Sequence, residues 1–418
     1  MIISKDRKLV VGLEIGTTKV VTLVGEVLID NTIKIIGLGV SKSKGIDKGR
    51  INNLDALVSS IQESINKAET MSDCRISSVY LSLSNKHINC YNEIGIVPIS
   101  ENEVTKEDLE NVIHIAKSIQ ILNEHHILHV IPQEYLIDQQ SGIKNPIGLS
   151  GIRMQVKAHL ITCHQNITKN IIKAVEKCDL KVDQVIFSGL ASSKAVLTED
   201  ECKFGVCMID IGGGTIDFTI YIDGSIQYSQ VIPYAGNIVT SDISYAFSTS
   251  YNDAENIKIK YGSTTKPILG SSKNIDYSNI HENFQKTLQQ DALIEVIESR
   301  YIELLSLIKD KIIKVQKKLH QKGEKYELLS GIVLTGGGSK ISCLKECAEK
   351  IFHKPVRIAK PINISGLIEN ITEPDYSTVV GLLHYGKEFY INIENKKMHN
   401  SFIEKIFQKI NNWFKKEF

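Results

Sequence analysis

A carboxylate followed by three glycines marks the part of this sequence that is best suited to chemistry. Asp210 ends an apolar run over 206–211, and the glycines at 212–214 and Thr215 follow it. Successive glycines let a backbone turn sharply and bring its N–H groups close to an anion. A buried unpaired carboxylate is costly, but one that faces a hydrated divalent cation beside a phosphate is not. The stretch is interpreted as a phosphate-binding hairpin; a tight β-hairpin with a hydrogen-bonded aspartate would explain it equally well.

A second stretch near the amino terminus has the same plan. Over 12–19 an apolar strand carries Glu14 and is followed by a glycine, two threonines and a further strand. Two such hairpins predict a duplicated fold whose halves each offer a phosphate-binding loop. A third apolar strand ends in glycines at 336–338. Close backbone approach to the sugar or base of a nucleotide would explain these glycines, as would a plain strand–helix turn.

Composition sets broad limits on the protein. The 418 residues are too many for one hydrophobic core, so two or more domains are expected. A net charge of +1 gives no overall field that favours nucleic acid, so no nucleic-acid partner is expected. The eight cysteines lack paired metal-ligand spacing and are interpreted as buried, reduced thiols. Without a signal-peptide core or an apolar run of about 20 residues, we expect a cytoplasmic protein with no transmembrane helix.

Apolar periodicity predicts the elements that carry the turns. Strands are predicted over 8–15, 19–27, 32–40, 182–187, 206–211 and 218–222, and helices over 53–68, 167–177 and 288–318. The pattern changes between residues 76 and 163, where alternating stretches surround one helix at 105–120. Alternation over 152–160 predicts a sheet with one face in water, and hence a small inserted α+β unit. Its edge strands could pair with another molecule. Residues 262–290 show no steady period.

The last 18 residues differ in character from the polar segment 387–400 before them. Large apolar side chains recur there on one helical face: Phe402, Ile403, Ile406, Phe407, Ile410, Trp413, Phe414 and Phe418. Lysines, among them Lys415 and Lys416, lie on the other face. A helix docked on the protein's own core would share the apolar face. The aromatic content and the polar tether favour a helix that lies in an anionic membrane interface.

These motifs together resemble the actin/Hsp70/sugar-kinase nucleotide-binding superfamily. The resemblance rests on the hairpins at 12–19 and 206–217, a connecting segment at 186–196, the loop at 335–339 and a closing helix at 377–386. Within that superfamily the chain resembles the FtsA family of bacterial cell-division proteins along essentially its whole length. That narrower resemblance rests on residues 8–19, 131–135, 142–146, 232–237 and 412–418.

The resemblance implies an α/β, actin-like duplicated nucleotide-binding fold with an inserted α+β subdomain and a C-terminal amphipathic helix. The implied parts are subdomain 1A (1–83 and 163–195), inserted subdomain 1C (84–162), subdomain 2A (196–245 and 328–386), subdomain 2B (246–327), a linker (387–400) and a membrane-targeting helix (401–418).

ATP with Mg²⁺ is the implied ligand of the cleft between the halves. By position, the backbones that would hold the nucleotide are those of Gly12, Gly16, Thr17, Thr18, Gly212, Gly213, Gly214, Thr215, Gly336, Gly337 and Gly338. Glu14 and Asp210 would face the metal through water. Relatives that hydrolyse ATP efficiently carry an acidic or amide residue in the connecting segment, and residues 188–193 offer none. We therefore predict tight ATP binding with slow or no turnover.

The resemblance also implies partners. The C-terminal tail of FtsZ would dock near the predicted helix at 294–304, with Arg300 as the candidate contact and Tyr301 and Glu303 nearby; a solvated helical face is the alternative. Actin-like filaments, later division proteins on subdomain 1C and anionic lipids complete the implied set. The implied location is peripheral, on the cytoplasmic face of the inner membrane at the division site. A sugar-kinase-like phosphotransferase is the alternative function, and an Hsp70-like chaperone would need a substrate-binding domain that we do not expect.

Overall fold

The computed structural model describes residues 7–265, 274–278, 285–321, 327–367 and 371–391. Within these ranges the strands are, in chain order, β1 (Leu9–Ile15), β2 (Lys19–Val27), β3 (Ile33–Lys42), β4 (Ile46–Asp47), β5 (Arg50–Ile51), β6 (Ser78–Leu83), β7 (Asn89–Pro98), β8 (His125–Ile137), β9 (Gln140–Ile143), β10 (Arg153–His164), β11 (Lys181–Phe187), β12 (Val206–Ile211), β13 (Ile216–Ile222), β14 (Ser225–Ile232), β15 (Asn274–Ser278), β16 (Gln285–Gln289), β17 (Ile332–Thr335), β18 (Val356–Ile358) and β19 (Ile364–Gly366). The α-helices are α1 (Leu54–Ser72), α2 (Lys106–Lys117), α3 (Gln165–Glu176), α4 (Ser188–Val196), α5 (Glu199–Phe204), α6 (Gly236–Phe247), α7 (Tyr251–Tyr261), α8 (Gln290–Gln321), α9 (Leu344–Phe352) and α10 (377–391).

Two sheets with the same internal plan form the two halves of the molecule. In the first, β1 pairs antiparallel with β2 and parallel with β6; in the second, β12 pairs antiparallel with β13 and parallel with β17. The further neighbours repeat this plan, with the orders β11-β6-β1-β2-β3-β19 and β14-β13-β12-β17-β18. The duplicated α/β fold predicted from the two hairpins is therefore confirmed.

Helices α4 and α10 cross where the two halves meet. A Cβ at Gly381 would lie 1.8 Å from the carbonyl oxygen of Ala191, so only glycine lets α10 approach α4 this closely. Apolar side chains of both sheets, such as Leu13 of β1 and Met208 of β12, belong to one buried cluster around these helices. The two halves thus share a core at the base of the cleft between them.

The inserted unit, residues 84–162, is built on an antiparallel sheet in the order β7-β10-β8-β9, with α2 packed against it. Its own apolar cluster includes Val112 of α2 and Met154 and Val156 of β10. The prediction that one face of this sheet lies in water holds only for the first part of β10. From Ala158 to Cys163 every residue of β10 is buried, because the strand continues into the first-half core and its neighbour β14 covers it. The prediction was wrong there because the alternation of apolar and polar residues along a strand does not show whether another element packs on its polar face.

Side-chain hydrogen bonds join the inserted unit to β14 of the second half. His159 is fully buried; its Nδ1 lies 2.6 Å from Asn92 Oδ1 and its Nε2 lies 2.9 Å from Ser229 Oγ. Gln133 Nε2 donates to the carbonyl oxygen of Ile226 at 2.6 Å. Burial lowers the pKa of His159 to about 3 and that of the nearby His129 to about 4. Both imidazoles are therefore neutral in the folded protein near neutral pH.

Acid should weaken this junction. The pKa of histidine in the unfolded chain is about 6.5. Between pH 6.5 and about pH 4 these histidines are therefore protonated in the unfolded chain but not in the folded chain. The stability present above pH 6.5 is consequently lost as the pH falls. At pH 5 each of the two histidines should cost about 2 kcal/mol of unfolding free energy. His159→Gln should remove about half of this acid-dependent loss in urea unfolding followed from pH 7.5 to 5. His114→Gln, at an exposed position of α2, is the matched control, and an equal loss in both variants would refute the assignment.

Parts of the remaining predictions lie beyond the described residues. The predicted linker 387–400 begins inside α10, which continues to residue 391, so its start was placed too early; its remainder and the predicted helix 401–418 are not described. The described part of 262–290 includes the antiparallel pair β15–β16. The cysteines were interpreted as buried thiols; Cys163, Cys178, Cys207 and Cys347 are buried, whereas Cys343 is exposed. A search of the described helices finds none that is long and apolar enough to cross a bilayer.

Candidate functional site

The turns of the two predicted hairpins face each other across the cleft. Each is closed by the same backbone hydrogen bond, from Gly16 N to Lys19 O and from Gly212 N to Thr215 O, both at 3.0 Å. A Cβ at Gly213 would lie 2.5 Å from Thr18 Cγ2, and one at Gly214 would lie 2.4 Å from Thr17 Oγ1. The close approach of the turns therefore requires glycine at both positions.

A cavity lies between these turns and the carboxyl ends of β12 and β17. The lining residues are Glu14, Ile15, Gly16, Thr17, Thr18, Lys19, Gly49, Ser82, Ser84, Ser188, Asp210, Gly212, Gly213, Gly214, Thr215, Asp217, Gly336, Gly337, Pro374, Asp375 and Thr378. The structure thus brings together both predicted turns, both predicted metal-side carboxylates and the first two glycines of the 336–338 loop.

Two predicted nucleotide-binding residues, Gly12 and Gly338, do not line the cavity. A Cβ at Gly12 would lie 2.9 Å from the carbonyl oxygen of Val379, so this glycine serves the packing of α10 on β1. A Cβ at Gly338 would lie 2.4 Å from Ile211 Cγ2. Packing against a neighbouring element is thus sufficient to explain glycine at both positions, and their contact with nucleotide stays a prediction.

Buried carboxylates dominate the electrostatics of the cavity. Burial raises the pKa of Glu14 to about 8 against the opposing effect of Lys19, and Glu14 Oε2 has no hydrogen-bond partner in the described part of the chain. Burial also raises the pKa of Asp210, whose Oδ2 accepts hydrogen bonds from Ser192 and, at 3.1 Å, from Thr378 Oγ1. Burial therefore disfavours the ionised forms of these carboxyl groups, and a cation bound in the cavity would favour them.

Several residues of this cavity were missed at the sequence level. Asp217 is buried, accepts a hydrogen bond from Ser84 Oγ at 2.6 Å, and has its pKa raised well above the usual value by burial and by Asp210. Lys19 Nζ pairs with Asp375 Oδ2 at 2.7 Å. Asp217 and Lys19 are the last residues of the two hairpin motifs. A charged side chain in an otherwise apolar strand could therefore have identified both as candidate site residues. Ser84 and Asp375 come from distant segments and carried no such signal.

The donor set fits a phosphate group with a hydrated divalent cation. Glycine turns present backbone N–H groups to an anion, and a cation would offset the charge of Glu14, Asp210 and Asp217. In the described ranges no three acidic, histidine or cysteine side chains converge closely enough to hold a metal by themselves. Mg²⁺ commonly keeps several waters and takes phosphate oxygens as ligands, so water-mediated contacts with these carboxylates suit it.

Arg300 lies on α8 beside an open groove of about 560 Å³. Its Nε donates to Asp242 Oδ2 at 2.5 Å, and its Nη1 donates to Glu303 Oε2 at 2.5 Å. Apolar side chains, including Phe247 and Val296, line the same groove. Tyr301 was predicted to lie near a partner, but it is 1% exposed and its hydroxyl donates to Gly338 O at 2.8 Å. Tyr301 is therefore removed from the candidate contact surface, because the next position on a helix points to a different face.

Comparison with known proteins gives full-length matches. The family model described as "Cell division protein FtsA" matches residues 207–381, and that described as "SHS2 domain inserted in FTSA" matches residues 85–162. "Cell division protein FtsA" of Buchnera aphidicola subsp. Acyrthosiphon pisum (strain APS) is 82% identical over 418 residues, and that of Escherichia coli (strain K12) is 56% identical over 420 residues; each match covers 100% of both chains.

Two solved structures share the fold at low sequence identity. The "PilM-PilN type IV pilus biogenesis complex" aligns with a TM-score of 0.65 at 17% identity, covering 90% of this chain and 98% of that chain. MreB5 of Spiroplasma citri bound to ADP aligns with a TM-score of 0.54 at 18% identity, covering 93% and 99%. The actin-like architecture with an inserted domain is thereby confirmed.

Proposed function

The chain belongs to the FtsA family of cell division proteins, and on that premise we propose that it binds ATP with Mg²⁺ and anchors FtsZ filaments to the cytoplasmic face of the inner membrane. The observation that carries the nucleotide part is the pair of glycine turns, closed by identical hydrogen bonds, that meet over one cavity. Titration of the purified protein with a fluorescent ATP analogue, with and without Mg²⁺, tests that part. Absence of saturable binding would refute it.

The residues of the cleft have distinct roles in this proposal. Backbone N–H groups over 16–18 and 212–215 bind the phosphates, and Gly336 and Gly337 approach the adenosine. Glu14 and Asp210 would face the hydrated Mg²⁺, and the metal would supply charge neutralisation. Lys19 is held by Asp375 at the rim, where its ammonium adds positive charge near the phosphates. Each role uses backbone or side-chain groups that line the cavity.

Turnover of the nucleotide is proposed to be slow. The connecting segment forms α4, whose Ser192 donates to Asp210 and whose Ser193 donates to the carbonyl oxygen of Gly189 at 2.6 Å. These hydroxyls are committed to the protein, and none of them is a base that could activate water. ATP is therefore proposed as an assembly and structural ligand.

Membrane attachment is proposed to depend on residues 401–418. The support is the sequence pattern alone: aromatic and aliphatic side chains on one helical face and lysines on the other. Burial of large apolar side chains is worth roughly 1.5–3 kcal/mol each, and lysines near an anionic leaflet add about 1 kcal/mol each. Filament formation would multiply this reversible binding. The exposed Ile94 and Ile96 of β7 support the inserted unit as a surface for self-association or for later division proteins.

The groove beside Arg300 is the proposed docking site for the FtsZ tail. Arg300 spends three of its five N–H donors on Asp242 and Glu303, so two remain for a carboxylate of the tail. Arg300→Glu should weaken binding of an FtsZ-tail peptide at least about tenfold, because it removes the donors and adds repulsion. Fluorescence anisotropy of a labelled peptide measures this loss.

Two controls separate docking from folding. Lys314→Glu makes the same charge change at an exposed position of the same helix and should leave peptide binding unchanged. ATP binding should be unchanged in both variants. Equal weakening by Lys314→Glu would mean that only the overall field of α8 matters, and the groove would no longer be the docking site.

A further inference from the structure

A second cavity, of about 660 Å³, adjoins the nucleotide cleft. It lies between the β4–β5 turn, the start of the inserted unit, α3 and the segment after β14. Gly49 lines both cavities, and Lys48 N donates to Thr17 Oγ1 of the first phosphate turn at 3.3 Å. The second cavity is therefore a separate space that touches the turn of the first hairpin. Its volume is in the range of small-molecule sites.

Positive charge converges on this cavity from separate elements. Lys48 and Arg50 come from the β4–β5 turn and Lys86 from the start of the inserted unit. Among the described residues of the lining, Asp47 is the only carboxylate. Within the described ranges no carboxylate is paired with Arg50 or Lys86. Three cations and one carboxylate around one concavity leave a net positive potential that favours an anionic ligand.

The pKa of His87 reflects the same positive field. The rings of His87 and His164 both line the cavity, with centroids 5.9 Å apart. Burial lowers the pKa of His87, and the positive charges of Lys86, His164 and Arg50 lower it further. His164 Nε2 lies 2.9 Å from Glu124 Oε2, so that carboxylate is engaged outside the lining. Because its pKa is lowered, the His87 imidazole is neutral near neutral pH and adds a hydrogen-bonding group without adding repulsion between cations.

Apolar side chains also line this cavity. Ile51, Ile167, Pro233 and Tyr234 line it, and Lys48 Nζ lies 5.0 Å from the ring centroid of Tyr234. A lining that combines cations with aromatic and aliphatic side chains suits a ligand with an anionic part and an apolar or planar part. Asn85, Asn166 and Asn170 supply further carboxamide groups. Arginine and lysine side chains with amide donors are the groups that recognise phosphate oxygens.

We propose that this cavity binds a small, soluble organic phosphate, at a site separate from the nucleotide cleft. The concave shape between four segments suits a soluble ligand. Gly49 lines both the cavity and the cleft, and Lys48 of the cavity is hydrogen-bonded to Thr17 of the first phosphate turn. Occupancy of one site should therefore alter affinity at the other, and the effect should be reciprocal.

Titration calorimetry of the full chain with phenyl phosphate, at constant ionic strength, tests the proposal. Wild type should bind saturably and more tightly than it binds inorganic phosphate, because the phenyl ring contacts the apolar wall. The double variant Arg50→Ala/Lys86→Ala should bind at least about tenfold more weakly. Lys34→Ala/Lys106→Ala removes two exposed lysines elsewhere and should bind as wild type does. Arg50→Lys keeps the positive charge and should therefore bind phenyl phosphate more tightly than the double variant does.

Saturating MgATP separates this site from the cleft. Phenyl phosphate should still bind one equivalent in its presence, with a changed affinity. Complete competition by MgATP would place the phosphate in the cleft and overturn the proposal. An affinity within twofold of wild type for Arg50→Ala/Lys86→Ala would overturn it too. Failure of MgATP itself to bind would count against the proposed function. The phosphate site would then be tested by the comparison of wild type with Arg50→Ala/Lys86→Ala alone.

Discussion

Gly214→Val should abolish nucleotide binding, with an affinity loss of at least about 100-fold, equivalent to ~2.8 kcal/mol. A Cβ at this position would lie 2.4 Å from Thr17 Oγ1 and 3.0 Å from Thr17 Cβ. A branched side chain there must push the two phosphate turns apart and fill the space over which their N–H groups converge. Titration with a fluorescent ATP analogue in the presence of Mg²⁺ measures the loss.

Gly224→Ala is the matched control for this experiment. Gly224 has a φ of +72°, so the substitution strains the backbone, but its Cβ would meet nothing closer than Lys203 Cγ at 3.8 Å. It should lower stability modestly and leave ATP affinity within about twofold of wild type. The thermal midpoint of Gly214→Val without nucleotide should stay near that of Gly224→Ala. Wild-type ATP affinity in a folded Gly214→Val protein would contradict the assignment of the turns.

Removal of residues 401–418 should abolish binding to anionic vesicles. The deleted segment carries eight large apolar side chains at helical spacing. At roughly 1.5–3 kcal/mol each, their burial in a membrane would outweigh the cost of ordering a helix. We expect a loss of at least about 100-fold in vesicle affinity. Pelleting of a chain that ends at Asn400 with vesicles rich in phosphatidylglycerol measures it.

Point variants distinguish loss of the apolar face from loss of length. Trp413→Glu in the full chain should weaken vesicle binding about as strongly as the deletion, because a charge enters the buried face. Gln408→Glu places the same charge on the polar face and should have a small effect. The shortened chain should keep wild-type ATP affinity. Undiminished vesicle binding by the chain that ends at Asn400 would refute the assignment of residues 401–418 as the membrane-binding segment.

Local sequence predicted the elements of the site well, because a glycine turn between apolar strands leaves a strong pattern. The register of β1 with β2 and of β12 with β13 follows from such turns, and both pairs were predicted within a few residues. Duplication was predictable because two weak motifs of one plan are together more specific than either one. The remaining residues of the cavity, such as Ser84 and Asp375, depend on tertiary contacts.

Tertiary contacts also explain features of the structure that the sequence pattern did not predict. Gly12 and Gly338 are glycines for packing, since α10 and Ile211 approach them closely. Tyr301 faces the core although its neighbour Arg300 faces the groove. The face of β10 at His159 was expected in water and instead meets Ser229 of β14. Each of these positions is decided by a neighbour that lies far away in the sequence.

Recruitment of FtsZ to anionic vesicles tests the central claim most directly. Purified FtsZ is pelleted with vesicles in the presence of MgATP and one of three proteins: the full chain, the chain that ends at Asn400, or Gly214→Val. The account predicts that FtsZ pellets with the full chain, stays in solution with the shortened chain, and pellets much less with Gly214→Val. Equal recruitment of FtsZ by the full and shortened chains would contradict it.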